Sequence, residues 1–331
     1  MTGLVAALGL TAVALAAPPP ADDGAGEARA LAFLAREVPL WSRENHCFSC
    51  HNNGDAARAL MDARRRGVAR AKPTGPGPGT DPLSDTLAWL ARPEGWDRNG
   101  GQGPFSDKTL ARVQFTAALA DAVSAGLVTD RAPLLAAAAT LAKDQAADGS
   151  WPIEGEPEVL GSPAAYGRPL ATLTARNALY AADPLRYRSA VERADRWLDA
   201  RPVVRVMDAS IALLAVGSPG RISEGPGRYR ARRTAALERL RAGQSDDGGW
   251  GPYVDAPPEA FDTALAMLAL ARQTPDAETR AMIARGRAYL LANQNPDGSW
   301  SETTRPSGAE SYAQRLSTIG WAALALLATA R

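Results

Sequence analysis

The residues of this chain best suited to chemistry stand together near its start: His46, Cys47, Cys50 and His51, in the run HCFSCH. They are all of the cysteines and histidines in the 331 residues. Two thiols separated by two residues, with an imidazole directly after the second, give the spacing used for covalent haem attachment. The thiols add to the two vinyl groups on one porphyrin edge, and the adjacent imidazole reaches the iron as an axial ligand. The spacing therefore predicts a covalent haem c held by Cys47 and Cys50, with His51 on the iron. The sixth ligand is open. His46 neighbours a tethered cysteine and cannot swing to the opposite face. Met61, two turns into the following helix, is the nearest methionine and a candidate, although core packing suits a Met equally well.

Two other chemistries use the same residues. A Cys47–Cys50 disulfide, structural or redox-active, would need no His51. A zinc site from His46, Cys47, Cys50 and His51 has the right ligand types, but adjacent pairs of ligands strain tetrahedral geometry.

Residues 1–17, MTGLVAALGLTAVALAA, are apolar, uncharged and end in small residues, as a secretory signal peptide does. Export agrees with haem attachment, which takes place outside the cytoplasm, and predicts a periplasmic or secreted protein. No later stretch is long and apolar enough for a membrane span, so no integral membrane domain is expected. Lys and Arg number 37 against 36 Asp and Glu, which gives no reason to expect a nucleic-acid partner. The basic run Arg64-Arg65-Arg66, with Arg70 and Lys72, reads as a solvated helix face.

Self-similarity organises the rest of the chain. QAADGSW ends at Trp151, QSDDGGW at Trp250 and QNPDGSW at Trp300, each with a Leu four residues before its Gln. Asp-Gly makes a tight turn, because Gly accepts positive φ and Asp bonds its own backbone. The Trp can pack over the preceding helix end, and the Gln amide can satisfy free helix-terminal groups. Fainter copies occur at Arg193-Ala194…Trp197-Leu198, at Trp89-Leu90 and at Arg29-Ala30…Phe33-Leu34. The marker leucines are then 34, 90, 141, 198, 240 and 290, which fits six helical hairpins.

These segments resemble the QW motifs of the squalene cyclase and prenyltransferase superfamily. The resemblance implies an all-α fold, a single (α/α)6 toroid, over residues 18–331. Helical pattern supports this, because stretches apolar on all sides alternate with one-faced ones. The inner ring is expected near 55–67, 107–125, 168–182, 205–217, 258–273 and 311–329. The outer ring is expected near 27–38, 81–92, 131–144, 186–200, 229–242 and 276–293. The chain starts on an outer helix and ends on an inner one, so its ends should meet and close the ring. The haem loop, 42–54, then stands where other repeats place a QW turn. Gly- and Pro-rich connections fall at 72–80, 152–168 and 218–228.

The superfamily's protonating cyclases carry DxDD followed by Thr-Ala, whose middle Asp is the acid. The matching segment here is Glu259-Ala260-Phe261-Asp262-Thr263-Ala264, with Phe261 in the acid position. A phenyl ring donates no proton, so the resemblance does not carry that mechanism over. No DDxxD cluster appears, and no Cys or His follows His51 to build a prenyltransferase zinc site. The leading expectation is an exported haem-c toroid that serves electron transfer or redox and ligand sensing with a redox partner protein. The alternative is a terpenoid-cyclase-like or carbohydrate-binding or lyase toroid that uses its central cavity for a hydrophobic or carbohydrate ligand. In that reading the cysteines form only a disulfide. Trp89, Trp96, Trp250, Tyr253, Tyr312 and Trp321, with Asp97, Asp107, Lys108, Arg315 and Asp208, are the candidate lining.

Overall fold

A computed structural model describes residues 24–68, 81–99, 107–153, 167–221, 226–274, 276–302 and 311–330. The expected signal segment, the 72–80 connection, Arg70, Lys72 and most of the 152–168 loop lie outside those residues. In chain order the helices are α1 (Ala25–Asn45), α2 (Ala57–Arg65), α3 (Ser84–Leu90), α4 (Lys108–Ser124), α5 (Ala132–Lys143) and α6 (Arg168–Ala182). They continue as α7 (Arg188–Ala200), α8 (Val206–Val216), α9 (Pro226–Gly243), α10 (Ala260–Ala271), α11 (Ala277–Ala292) and α12 (Tyr312–Thr329). Among the described residues there is no β-strand.

The even-numbered helices form a closed inner ring. Each packs on the next, and α12 packs on α2 to complete it. Their composition dictates this: every residue of α8 except Asp208 is buried, as is the stretch Val113–Ala120 of α4. A helix that is apolar all round has no face to give to water and must be covered on both sides. The odd-numbered helices cover the ring from outside. In α7 only Ala190, Val191, Ala194, Asp195 and Leu198 are buried, the stripe of a helix with one side in solvent.

Each QW-type turn works as a clasp. The indole N–H groups of Trp151, Trp250 and Trp300 donate to the carbonyls of Leu141, Leu240 and Leu290 at 2.8, 2.7 and 2.7 Å. These carbonyls lie in the last turn of outer helices, where intrahelical donors run out, and that of Leu141 also accepts from the Asp144 N–H at 3.2 Å. The Gln of each turn donates both to its own turn glycine and to the next outer helix. Gln145 reaches the carbonyls of Gly149 and Ala190, Gln244 those of Gly248 and Met282, and Gln294 those of Gly298 and Gly26. The last of these joins α11 to α1 and closes the outer ring, as the order of elements predicts.

One boundary differs from the sequence-based expectation. Helix α1 continues past Pro39 to Asn45 instead of stopping near residue 38. Pro39 is buried within it, and the Ser42 hydroxyl donates to the Pro39 carbonyl at 3.2 Å. None of the helices is long and apolar enough to cross a membrane, among the described residues.

Candidate functional site

The loop after α1 is where the repeat pattern breaks. His46 ends α1 in the left-handed conformation, at φ 53°, and the chain turns back toward the ring. From Cys50 to Ala56 it winds as a π-helix that runs directly into α2. Short π-helical segments are uncommon and concentrate at functional positions. Ser49 caps this one by accepting from the backbone N–H groups of His51 and Asn52. Asn52 donates to the Glu37 carbonyl and the Tyr312 hydroxyl, and Asn53 to the Val38 carbonyl and the Thr86 hydroxyl. Gly54 and Gly320 let neighbouring helices come close. A Cβ on Gly54 would lie 2.9 Å from Gln114 Cβ, and one on Gly320 would lie 2.9 Å from Ala56 Cα.

These contacts bury Asp55 between α4 and α12, with 1 % of its surface exposed. Its Oδ2 accepts from Gln114 Nε2 at 2.8 Å and from Ser317 Oγ at 3.0 Å. Ser317 has one hydroxyl hydrogen, and it is used on Asp55. His51 Nδ1, 2.9 Å from Ser317 Oγ, must therefore be the N–H tautomer and donate to it, which leaves Nε2 as an acceptor. Asp55 Oδ1 is buried and takes no hydrogen bond of ordinary geometry.

Burial dominates the titration of this group of residues. It pushes the Asp55 carboxyl up to about 6, against the Arg58 charge and the Ser317, Trp321 and Gln114 donors that favour the carboxylate. It lowers His51 to about 4, so that the imidazole is neutral near pH 7. Burial, with the nearby Asp55 charge second, pushes the Cys50 thiol up to about 12. Cys50 and His51 keep part of their surface accessible, yet they are ringed by protein atoms and desolvated accordingly.

The central cavity opens where the inner helices end, opposite the QW turns. Its volume is about 580 Å³, within the usual range for small-molecule sites. Ala117, Leu170, Leu173, Leu214, Leu268 and Leu324 give it apolar walls. Arg58 and Trp321 also line it, and both act on the Asp55 carboxyl just behind them. The guanidinium of Arg58 lies 5.7 Å from the centre of the Trp321 ring.

The residues expected to attach haem are thus part of the wall around Asp55. Cys47 and Cys50 are free thiols, not a disulfide. Cys47 Sγ accepts from the Trp41 indole at 3.3 Å, and Cys50 packs against the core. Met61 is fully buried in mid-α2 and lines the cavity, a packing role. No group of three or more His, Cys, Asp and Glu side chains is placed to hold a metal ion among the described residues, so the four-ligand zinc reading fails. The expected aromatic lining is also corrected. Of that set only Trp321 faces the cavity. Trp250 is fully buried under its helix end, Tyr312 stacks on Trp41 at 5.2 Å, and Tyr253 is exposed. Asp97 pairs with Arg112, and Asp208 caps α8 together with Arg205. Arg65 and Arg66 are exposed, as a solvated helix face requires, and pair with Asp62 at the cavity mouth, whereas Arg64 pairs with Asp81.

Comparison with known proteins identifies the architecture. The type II terpene cyclase MstE from Scytonema superposes over 92 % of this chain and 97 % of its own, with a TM-score of 0.58 at 15 % identity. The ent-copalyl diphosphate synthase from Streptomyces platensis covers 83 % of this chain with a TM-score of 0.55 at 20 % identity, and half of its own length is matched. The fold is that of the type II terpene cyclases. In sequence, a drimenyl diphosphate synthase from Streptomyces showdoensis is 39 % identical over 104 residues, 31 % of this chain. That stretch spans 18 % of the synthase, so the chain matches under a fifth of its relative's length. No family model matches the chain.

These similarities overturn the expectation that the chain's function is electron transfer or redox and ligand sensing. The sequence relative is a terpenoid synthase, the structural neighbours are terpene cyclases, and His51 and Cys50 are bound into the packing around a buried carboxyl. Asp55, Ser317 and Gln114 were not singled out from the sequence. The available signal was an Asp four residues after His51, two residues before an inner helix with one apolar face.

Proposed function

We propose that the chain is a protonation-initiated cyclase of isoprenoid chains, with Asp55 as its acid in place of the α10 residue. The observation that carries this reading is the Asp55 carboxyl itself. It is buried beside the cavity and pushed up to about 6, so it holds its proton in mildly acid solution and about a tenth of it is still protonated at pH 7. The stretch shared with a drimenyl diphosphate synthase supports the substrate class.

Oδ2 is occupied by two donors, so the proton of the neutral acid sits on Oδ1. It passes to an alkene carbon of the bound chain. The π electrons form the new C–H bond and leave a cation on the neighbouring carbon. That cation is attacked by the next alkene to close a ring, and loss of a proton ends the sequence. The carboxylate left on Asp55 is stabilised by the Ser317 and Gln114 donors and by the Arg58 charge. The Trp321 face stabilises positive charge in the cavity. Asp55 lies behind Arg58 and Trp321, so the transfer requires one of these side chains to swing aside.

Phe261 explains why the acid must sit elsewhere. It is fully buried and packs edge-on against Trp321, with ring centroids 6.1 Å apart. The carbohydrate alternative has the support of the fold alone, shared with a polysaccharide lyase at 13 % identity and a TM-score of 0.51, whereas the isoprenoid reading also has the sequence relative. Incubation of the purified chain with linear prenyl substrates, followed by gas chromatography and mass spectrometry, tests the proposal. Cyclic products that vanish in Asp55→Asn are expected. Full activity in that variant would overturn the assignment.

A further inference from the structure

On the outside of the ring, α7 and α9 wall a second cavity of about 390 Å³, large enough for a small organic molecule. No residue that lines it also lines the central cavity. Arg196, Arg221, Arg228 and Arg232 face this space, and among the described residues Asp199 is the one acid in its wall.

Behind the wall lies a buried ion network with more cations than anions. Arg176 is fully buried, and its Nε and Nη2 donate to Asp195 at 2.9 and 3.1 Å. Arg221 is nearly as buried, and donates to the same Asp195 at 2.7 Å and to Asp199. Arg232 Nε lies 3.7 Å from Asp199 Oδ1, so three guanidiniums share two carboxylates. The other nitrogens of Arg232 donate to the carbonyls of Leu198, Asp199 and Arg201, which fastens α9 to the end of α7. Its Nε is buried and meets no acceptor at hydrogen-bond distance among the described residues. Burial first, then repulsion from Arg221 and Arg201, lowers the Arg232 pKa, with Asp199 and Asp208 opposing.

Surplus positive charge and an unmet donor at the wall of a cavity favour an anion there. Arg196 adds an exposed arm from α7 that forms no hydrogen bond or ion pair among the described residues. Several guanidinium forks around one space suit the oxygens of a phosphate dianion. The cavity is larger than a phosphate group needs, and Val216, Ala231 and the partly exposed ring of Tyr229 give it an apolar side.

We propose that this outer cavity binds a small phosphate monoester, with its dianion among Arg196, Arg221 and Arg232 and its organic part against Tyr229. The site lies outside the ring, so it stands or falls independently of the cyclase reading.

Calorimetry on the full chain with phenyl phosphate, inorganic phosphate and phenol tests this. Salt at about 0.15 M screens non-specific attraction between exposed charges. Phenyl phosphate should bind about fivefold more tightly than inorganic phosphate, through its contact with the Tyr229 ring, and phenol should not bind. Arg196→Ala should weaken phenyl phosphate about tenfold, and Arg196→Lys should recover part of the loss. Because Arg196 is exposed and unpaired, neither variant should shift the unfolding midpoint of the free protein. Phenyl phosphate should raise that midpoint in the wild type, and raise it less in Arg196→Ala. Arg188→Ala, at an exposed pair with Glu192 on the same helix, and Arg272→Met, in the lining of the central cavity, should bind as the wild type does. Binding lost in Arg272→Met but kept in Arg196→Ala would assign the anion to the central cavity and overturn the proposal. Absence of binding, or equal affinity for phenyl phosphate and inorganic phosphate, would overturn it as well.

Discussion

Gln294 and Arg29, 265 positions apart, are joined side chain to side chain: Arg29 Nη2 donates to Gln294 Oε1 at 2.7 Å. The same relation recurs between Gln145 and Arg193 and between Gln244 and Arg285. The Arg that opens one repeat thus holds the Gln that closes the repeat before it, and at Gln294 this links the last turn to the first helix. Gln294→Ala removes that contact and two amide donations, to Gly26 and Gly298. A loss of roughly 1–3 kcal/mol is expected, since the partners are left only partly satisfied. Urea unfolding measures it, and hydrogen exchange should show α1 opening first. Equal protection of α1 in variant and wild type would argue against a seam at this point.

The turn glycines make a sharper prediction. Gly298 has φ +95°, and a Cβ there would stand 2.2 Å from the Arg29 carbonyl oxygen. Gly126 also has positive φ, at +71°, but a Cβ there meets nothing within 4 Å. Gly126→Ala carries only the backbone penalty, about 1 kcal/mol, whereas Gly298→Ala must also push two elements apart. The second variant should therefore unfold at clearly lower denaturant concentration, and equal midpoints would contradict the close approach.

How much of this was legible in the sequence varies with the physics. The toroid was, because QW turns and all-round apolar helices are local signals: the inner stretch expected at 168–182 is α6 itself. The continuation of α1 through Pro39 was not, since a buried Pro inside a helix is sustained by tertiary contacts. The site was legible only in position. HCFSCH marked the loop where the repeat departs from its pattern, but short-range spacing cannot show that His51 meets Ser317, 266 residues away. Nor can it show that Gln114 and Ser317 converge on Asp55, because that follows from ring closure.

Asp55 and His51 pull stability in opposite directions with pH. The Asp55 pKa is raised in the fold, so its contribution is complete below the unfolded value and is lost as pH rises through about 6. The His51 pKa is lowered, so its contribution is complete above about 6.5 and is lost as pH falls toward 4. Between pH 4 and 6 the two slopes oppose each other. Asp55→Asn should therefore grow more stable as pH rises across this window, and His51→Gln less stable. Chemical denaturation at half-unit pH steps reads both slopes, and parallel curves for the two variants would refute the assignment of the shifts.

The placement of the acid also predicts how activity responds to pH and to Phe261. A neutral Asp55 is the active form, so turnover should be level at low pH and fall about tenfold per unit above about 6. Phe261→Leu keeps an apolar side chain against Trp321, and an aromatic-to-aliphatic change there should alter product ratios while turnover persists. Asp55→Glu places the carboxyl one methylene further into a space closed by Gln114 and Gly320, so it should retain a small fraction of activity and an altered pH midpoint. If Phe261→Leu abolishes turnover while Asp55→Glu leaves it and its pH midpoint unchanged, the acid belongs at the start of α10 after all. The opposite pattern fixes it at the π-turn that begins with Cys50 and ends beside Trp321.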